Sequence, residues 1–357
     1  MFSRRAVAGF FASTVLLGAG ATTSFGAVTE PCFGRKPTIV GTSNADNIVG
    51  TNGSDVIFSG DGDDKVSGRG GADRICAGQG DDVVEGGLDD DTIFGSTGVD
   101  KLVGGDGDDK LYSGGSNSSD FEQLLGGTGD DDLRGESTPE EIHGGLGADR
   151  IVGGSSLLNV PDQLFGDADD DRLMGPDAVL HGGQGDDFLF EGTISFALAL
   201  GPVRVDLENG VVVGEGDDRV DSVVHAIGSR FDDVLVGTKG DNRLVGDEGN
   251  DLLDGGGGSD VLDGGAGEDG CVERGTGESF ASCESIGDST ALGLNSGLEL
   301  TQPRLVTAED PQTQTWLWVG AGLVVLALIG LAMYRIGVRR AASATSVVGP
   351  STSEEKG

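Results

Sequence analysis

Aspartate recurs at a fixed interval of nine residues through much of this 357-residue chain. From Gly41 the sequence divides without a gap into eight nonapeptides, and the sixth residue of each is aspartate, beginning with Asp46, Asp55 and Asp64. Carboxylates at one repeated position supply hard oxygen ligands of the kind that calcium and magnesium prefer. The spacing therefore indicates divalent-cation binding.

Glycine and aliphatic residues follow the same nine-residue spacing, and they must position these carboxylates. Glycine is common at positions one, two and four, where it permits positive φ, so the first six residues are predicted to form a tight turn with inward-facing carbonyls. Position eight is Ile, Val or Leu, from Ile48 to Leu111, which predicts a short strand over positions seven to nine with position eight facing the interior. Two nonapeptides would form one 18-residue coil with a strand on each side, and coils would stack at ~4.8 Å.

The unit resembles the G-G-x-G-x-D-x-U-x nonapeptide of RTX proteins, in which U is aliphatic. The resemblance implies an all-β fold, a parallel β-roll or β-solenoid of nonapeptide repeats, that binds several Ca²⁺ ions. It also implies that the sixth-position aspartates are the metal ligands. The predicted ligands are Asp46, Asp55, Asp64, Asp73, Asp82, Asp91, Asp100, Asp109, Asp131, Asp149, Asp171, Asp187, Asp233, Asp251, Asp260 and Asp269.

Stacked coils would bring these carboxylates close enough to require a cation. Two carboxylates ~4.8 Å apart repel by about 3 to 4 kcal/mol at an effective dielectric near 20. Several such pairs are comparable to the ~5 to 15 kcal/mol by which a domain is stable, so the coil is predicted not to form without a cation. Calcium tolerates two carboxylates plus backbone carbonyls better than magnesium, which requires a tight octahedron. The alternative, that the aspartates are only solvated turn formers, does not explain one fixed position.

The nine-residue spacing weakens between residues 113 and 190 and stops between 191 and 227. Residues 113–125 and 153–165 each read as a nonapeptide with a four-residue insertion. The unit 135–143 keeps Glu140 at position six but lacks glycine at position four, and the unit 175–181 is two residues short, which weakens the case for calcium at both. Residues 191–227 alternate apolar and polar positions, which predicts two or three ordinary strands that interrupt the coil. The spacing restarts at Gly228, with Asn242 in place of one aspartate.

The predicted organisation has nine parts. They are a signal peptide (1–26), an N-terminal cap (27–40), a repeat array (41–112), a degenerate array with two inserted loops (113–190), a non-repeat β segment (191–227), a second repeat array (228–272), a disulfide end cap and stalk (273–315), a transmembrane helix (316–334) and a cytoplasmic tail (335–357).

Charge and motifs exclude several functional classes. The chain has 61 acidic and 23 basic residues and a formal net charge of -38, which excludes nucleic acid as a partner. No H-E-x-x-H motif accompanies the three histidines and no G-x-S-x-G is present, so the zinc-protease and lipase signatures are missing. The non-repeat segment is too short for an independent catalytic domain. We therefore predict that the protein is not an enzyme.

Both ends of the chain carry features of export and membrane anchoring. A basic start, an apolar run over 6–21 and small residues after it predict a secretory signal. Residues 316–334 are uncharged over a length that crosses a bilayer, and Arg335, Arg339 and Arg340 follow. The protein is predicted to be exported and anchored in the cell membrane by one C-terminal helix, with the repeats outside and the tail cytoplasmic.

The four cysteines, Cys32, Cys76, Cys271 and Cys283, all lie in the part predicted to be outside the cell, where disulfides form. Three connectivities are possible. Because two cysteines lie near each end of the repeats, we favour Cys32 with Cys76 and Cys271 with Cys283. A cysteine zinc site lacks support, since no Cys-x-x-Cys pair is present.

Two functional hypotheses follow from these features. The first is a cell-surface calcium-loaded β-roll with a structural or adhesive role in the envelope, which could have an envelope or cell-surface ligand. The second is an accessory protein that presents a secreted hydrolase or toxin at the membrane.

Overall fold

The computed structural model describes residues 34–115, 120–136, 139–155, 160–272, 274 and 277–287. Within these ranges no helix is long and apolar enough to cross a membrane. The predicted signal peptide, membrane helix and cytoplasmic tail lie outside them, as do most of the N-terminal cap and of the stalk.

The described residues form 29 short strands connected by turns and loops. In chain order the strands are β1 (Ile39–Val40), β2 (Asn47–Val49), β3 (Val56–Asp61), β4 (Lys65–Gly70), β5 (Arg74–Gln79), β6 (Val83–Leu88), β7 (Thr92–Thr97), β8 (Lys101–Asp106), β9 (Lys110–Gly114), β10 (Glu122–Thr128), β11 (Asp132–Arg134), β12 (Glu140–Leu146), β13 (Arg150–Val152), β14 (Gln163–Ala168), β15 (Arg172–Met174), β16 (Val179–Gln184), β17 (Phe188–Phe190), β18 (Thr193–Ser195), β19 (Arg204–Asp206), β20 (Val211–Val213), β21 (Asp217–Asp221), β22 (His225–Ile227), β23 (Val234–Val236), β24 (Arg243–Glu248), β25 (Leu252–Asp254), β26 (Val261–Ala266), β27 (Gly270–Val272), β28 (Ser279–Ala281) and β29 (Ser285–Gly287).

Successive strands alternate between two long sheets, which makes the described part of the chain a parallel β-solenoid. The first sheet has 16 strands and begins β1-β3-β5-β7, and the second has 13 and begins β2-β4-β6-β8. In the regular arrays each residue pairs with the residue 18 positions later, as Ile57 does with Ile75 and Val66 with Val84. The predicted all-β coil of two nonapeptides is confirmed.

A single column of aliphatic side chains from each sheet fills the space between the two sheets. Ile57, Ile75, Ile93, Leu102 and Leu111 are fully buried, and all of them occupy position eight. Because side chains alternate along a strand, the residues at positions seven and nine face outward. Each coil therefore adds two buried aliphatic side chains, and the core is long and thin.

The strands are longer than the three residues predicted for each unit. In the regular arrays a strand such as β4 has six residues and covers positions seven to nine of one unit and one to three of the next. Positive φ angles occur at positions two and four, as at Gly78 (120°) and Gly80 (128°), but not at position one. The expectation of positive φ at position one is therefore wrong, because that residue still belongs to the strand.

The segment 191–227 holds five strands, not two or three, and it interrupts the coil only in part. The first, fourth and fifth of them, β18, β21 and β22, continue the two sheets. β19 and β20 form an antiparallel insertion in the first sheet between β21 and β23. The solenoid therefore continues through this segment.

The ends of the described region agree in part with the predicted caps. Cys271 and Cys283 form the predicted disulfide, with an S–S distance of 1.99 Å and a Cα–Cα distance of 5.9 Å. Cys76 carries no free thiol, but its predicted partner Cys32 lies outside the described residues. The described end of the N-terminal segment forms β1, which pairs with β3 and so extends the first sheet by one strand.

Candidate metal centres

The acids at position six form two columns, one along each edge of the solenoid. One column precedes the strands of the first sheet and the other precedes the strands of the second sheet. In both, one carboxylate oxygen accepts the backbone N–H of the position-six residue one coil earlier. Asp64 Oδ1, for example, accepts the N–H of Asp46 at 2.7 Å, and Asp73 Oδ1 accepts that of Asp55 at 2.7 Å. This bond recurs along both columns at 2.7 to 3.1 Å.

The second carboxylate oxygen, Oδ2, has no hydrogen-bond partner at thirteen of these aspartates within the described residues, although the atom is buried. No described Lys or Arg forms a salt bridge with any of them. A buried anionic oxygen without a donor is costly, so each of these positions requires a proton or a cation. The thirteen are Asp64, Asp73, Asp82, Asp91, Asp100, Asp109, Asp131, Asp149, Asp171, Asp187, Asp251, Asp260 and Asp269. We call the turns that end at these aspartates open turns.

Each unpaired oxygen in the first-sheet column lies beside the glycine at position one of its own unit. A Cβ atom built on Gly86 would lie 2.2 Å from Asp91 Oδ2 and 2.8 Å from the carbonyl oxygen of Gly104, one coil further on. Gly68 stands in the same relation to Asp73 and to the carbonyl of Gly86. A carboxylate oxygen and a carbonyl oxygen therefore converge on a space that only a glycine leaves open.

Raised pKa values at eleven of the open-turn aspartates reflect this unfavourable placement. Burial, the largest cause, raises the pKa of Asp82 to about 6, that of Asp91 to about 7 and that of Asp171 to about 8. The N–H bond from the preceding coil opposes the shift, and neighbouring carboxylates add to it. A bound cation would favour the charged form that burial disfavours.

The other three predicted ligands, Asp46, Asp55 and Asp233, have a hydrogen-bonded second oxygen. Asp55 Oδ2 accepts the backbone N–H of Thr51 at 2.8 Å and its hydroxyl at 2.9 Å. Thr42 bonds Asp46 in the same way, and Ser229 donates both groups to the carboxylate of Asp233.

Asn242 completes this set, since its Oδ1 accepts the N–H and the hydroxyl of Thr238. We call these four the hydroxyl-closed turns. They make up the first coil of each regular array, and in all four position two carries Thr or Ser.

The residues present fit a calcium ion at the open turns. In the described part of the chain no group of three or more His, Cys, Asp or Glu side chains could hold a metal ion. The predicted arrangement needs only two carboxylates, with backbone carbonyls completing the shell. The open turns supply a buried carboxylate oxygen, and in most of the first-sheet column a carbonyl oxygen of the next coil lies beside it. Both are donors that calcium takes. The thirteen open-turn aspartates would hold the ions.

Position five carries a separate, exposed column of acids. Asp90 Oδ1 accepts the N–H of Asp108 at 3.1 Å, and Asp81 Oδ1 accepts that of Val99 at 2.9 Å. These bonds run to the following coil, whereas the bonds of position six run to the preceding one. These exposed position-five side chains therefore also connect the coils.

Several acids in the irregular segments occupy the same columns, and the sequence analysis did not include them among the ligands. Asp162 Oδ1 accepts the N–H of Glu140 at 3.1 Å, and Asp218 Oδ1 accepts that of Asp187 at 3.1 Å. Glu122 pairs with Glu140 in the second sheet and is fully buried. Each of these acids lies two residues before a buried aliphatic side chain, and that shorter pattern would have identified all of them.

Comparison with protein families places the same repeat along the chain. The RTX calcium-binding nonapeptide repeat matches residues 40–75, 68–102, 77–111, 85–120, 125–156, 179–190, 227–262 and 236–270. The matches leave out residues 157–178, which contain Asp171, and most of the segment with the antiparallel insertion. Comparison with curated proteins gives no match.

Proposed function

We propose that this chain, which belongs to the RTX calcium-binding nonapeptide repeat family, binds calcium in its open turns and reaches its folded state only when calcium is bound. The observation that carries the proposal is the set of thirteen buried aspartate oxygens without a hydrogen-bond partner in the described residues. Each is a charge that the fold buries and that the described side chains do not neutralise. Calcium binding would supply the missing free energy, because the unfolded chain has no preformed site.

Calcium-dependent folding can be tested on the purified full-length protein in detergent micelles. In excess chelator we expect an expanded chain with little β signal in circular dichroism. Calcium at about millimolar concentration, the range of extracellular modules, should produce a compact β-rich protein. Magnesium at the same concentration should not, because it retains its waters. Identical spectra and hydrodynamic radii in calcium and in chelator would overturn the proposal.

We also propose that the solenoid acts outside the cell, in a structural or adhesive role at the envelope. Support comes from the basic and apolar N-terminal segment and from the uncharged stretch 316–334 followed by arginines. Millimolar calcium outside cells would keep the open turns loaded. Protease added to intact cells should remove the repeats and spare an epitope tag on the C-terminal tail. Repeats that resist protease until the cells are lysed would contradict this location.

A further inference from the structure

A notch opens in the second sheet where the segment 191–227 replaces a regular coil. β14 pairs with β16 as far as Gln184, but β18 pairs with β16 only at Val179 and Leu180. After Ser195 the chain leaves the sheet in a loop. A pocket of about 240 Å³ lies between this loop and the end of β16 that β18 does not pair with.

Three stacked rings lead into this pocket along the outer face of the second sheet. The rings of His143 and Phe165 are parallel with centroids 4.3 Å apart, and Phe165 and His181 stack at 4.5 Å. Phe165 and His181 both line the pocket. The notch therefore has a flat aromatic wall at the point where the coils separate.

His181 contributes an uncharged ring to the same wall. Its Nδ1 is buried and has no hydrogen-bond partner in the described residues, while the ring bonds the backbone of Ser195. Burial lowers the pKa of His181 to about 4, so the ring is neutral at physiological pH. Because Nδ1 is buried, the ring offers a ligand its neutral, flat face.

Two carboxylates supply negative charge on the rim of the pocket. Asp167 Oδ2 lies 3.0 Å from His143 Nδ1, and Glu215 Oε1 accepts the N–H of Leu200 at 3.3 Å. In the described contacts each carboxylate uses only one of its two oxygens. The rim thus carries two carboxylates, of which Asp167 also pairs with His143, and on a chain whose net charge is -38 the pocket favours a cation over an anion.

The loop provides the apolar part of the lining. Leu198 and Leu200 line the pocket and are 62% and 80% exposed, which is unusual for leucines beside a fully buried core. A ligand that covered them would remove apolar surface from water, at about 25 cal/mol for each Å² buried. A bare metal ion could not do this, and the described residues hold no group of three metal-ligating side chains.

We propose that this notch binds a small organic cation with a short apolar body, such as an alkylammonium ion. The ammonium group would donate to the carboxylates of Asp167 and Glu215. The alkyl chain would lie against the ring of Phe165 and the two leucines of the loop. The site is separate from the open turns and does not depend on the function proposed for them.

The probe is n-hexylammonium, titrated into the calcium-loaded full-length protein and followed by saturation-transfer NMR and calorimetry. Hexanol has the same tail without the charge, and methylammonium has the charge without the tail. We expect both to bind at least about tenfold more weakly than hexylammonium, since a charged hydrogen bond and a buried alkyl chain each contribute about this much. Hexanoate should not bind. Equal affinity for hexylammonium and methylammonium would show only general attraction to an acidic surface and would overturn the proposal.

Variants locate the binding on the protein. Asp167→Asn and Leu200→Ala should each weaken hexylammonium binding by about threefold to tenfold. Asp247→Asn is the matched control, because Asp247 also occupies position two of a unit with positive φ (83°, against 74° at Asp167) but lies outside the pocket. Leu200 is largely exposed, so Leu200→Ala should leave the melting temperature in calcium unchanged. If Asp247→Asn weakens binding as much as Asp167→Asn, or if Leu200→Ala has no effect, the site is not this notch.

Discussion

The open turns and the hydroxyl-closed turns use the same aspartate position for different purposes. In an open turn such as the one ending at Asp91, the residue at position two has positive φ and the carboxylate keeps one buried oxygen without a hydrogen bond in the described residues. In a hydroxyl-closed turn such as that of Asp55, Thr51 at position two lacks positive φ and bonds that oxygen twice. The open turns in the interior of each array thus need a cation, whereas the hydroxyl-closed turns of its first coil do not.

The difference shows how an array of calcium sites can begin. In the first coils the acids are satisfied by their own turns. Threonine suits this place, because its β-branched side chain is strained at the positive φ of an open turn. Both regular arrays begin this way, at residues 42 and 51 and again at 229 and 238. We infer that the structure of these first coils does not require calcium.

The largest expected effect is that acid can replace calcium at the open turns. A carboxyl whose pKa is higher in the folded than in the unfolded state stabilises the fold fully below the unfolded pKa of 3.8. That stabilisation is lost as the pH rises through the folded pKa, which is about 6 at Asp82 and about 8 at Asp171. In chelator, β content and compactness should therefore rise as the pH falls from about 8 to about 5. Circular dichroism and sedimentation velocity would follow both.

The hydroxyl-closed turn of Asp55 should respond in the opposite sense. Hydrogen bonds, chiefly from the Thr51 backbone, lower the pKa of Asp55. The stability that Asp55 adds to the folded state is therefore present above pH 3.8 and is lost only below that value. The control is the same pH titration in saturating calcium, where protons compete with the ion and lower pH should destabilise the protein. A chelated protein that gains no structure on acidification would remove the basis of the comparison.

The second prediction separates the two kinds of aspartate by the same conservative substitution. Asp91→Asn keeps the Oδ1 that bonds the N–H of Asp73 but places an amide beside the carbonyl of Gly104, where it can donate a hydrogen bond. Bound calcium should decrease, and the calcium midpoint should rise by up to about tenfold for a loss of ~1.4 kcal/mol. Stability in chelator should increase. Equilibrium dialysis and denaturant titration measure these quantities.

The matched variant is Asp55→Asn, which reproduces the arrangement that the chain already has at Asn242. The number of bound calcium ions should not change, and the calcium midpoint should move by less than about twofold. Equal losses of calcium in the two variants would mean that the closed turns are also metal sites.

The sequence predicted most of the fold, because a strict nine-residue period determines which side chains meet. Asp64 and Asp82 are one coil apart in the structure as expected, and Ile57 lies beside Ile75 in the core. The period also identified every aspartate that has a buried unpaired oxygen in the described residues. It failed where insertions change the spacing, as at Glu122 and Asp218, although the coil continues there.

The division between open and closed turns could not be predicted from residue type alone. Ser96 and Ser229 both hold position two, yet Ser96 has a φ of 84° and leaves Asp100 Oδ2 unpaired, whereas Ser229 bonds Asp233. The coil before Ser96 imposes positive φ on it, while Ser229 begins an array. Position in the stack decides the conformation, and that is a tertiary effect which the unit sequence does not contain.

A smaller effect is expected from removing one hydroxyl of a closed turn. Thr51→Val keeps the shape and the N–H bond to Asp55 but deletes the hydroxyl, which lies 2.9 Å from Asp55 Oδ2 and also accepts the N–H of Gly53 at 3.2 Å. We expect a loss of about 0.5 to 1.5 kcal/mol in the calcium-loaded protein, a higher pKa at Asp55 and no change in bound calcium. Ser96→Ala is the control, since that hydroxyl does not close its turn and its loss should be near neutral. A loss of calcium on Thr51→Val would contradict the inference that the first coils do not require calcium.

The smallest effect is expected at position five of an open turn, next to the proposed ligand. Asp90 is exposed, and its Oδ1 accepts the N–H of Asp108 in the next coil. Asp90→Asn keeps that acceptor and removes a charge close to Asp91, so the calcium midpoint should stay the same or fall slightly. Asp90→Ala also loses the inter-coil bond and should cost at most about 0.5 to 1 kcal/mol, because water can replace the acceptor at an exposed site.

Calcium titrations of Asp90→Asn and Asp91→Asn, which lie in one turn and undergo the same chemical change, compare charge with position directly. If Asp90→Asn raises the midpoint as much as Asp91→Asn does, the aspartates act as a diffuse negative surface, and the buried oxygens of the open turns are not the ligands.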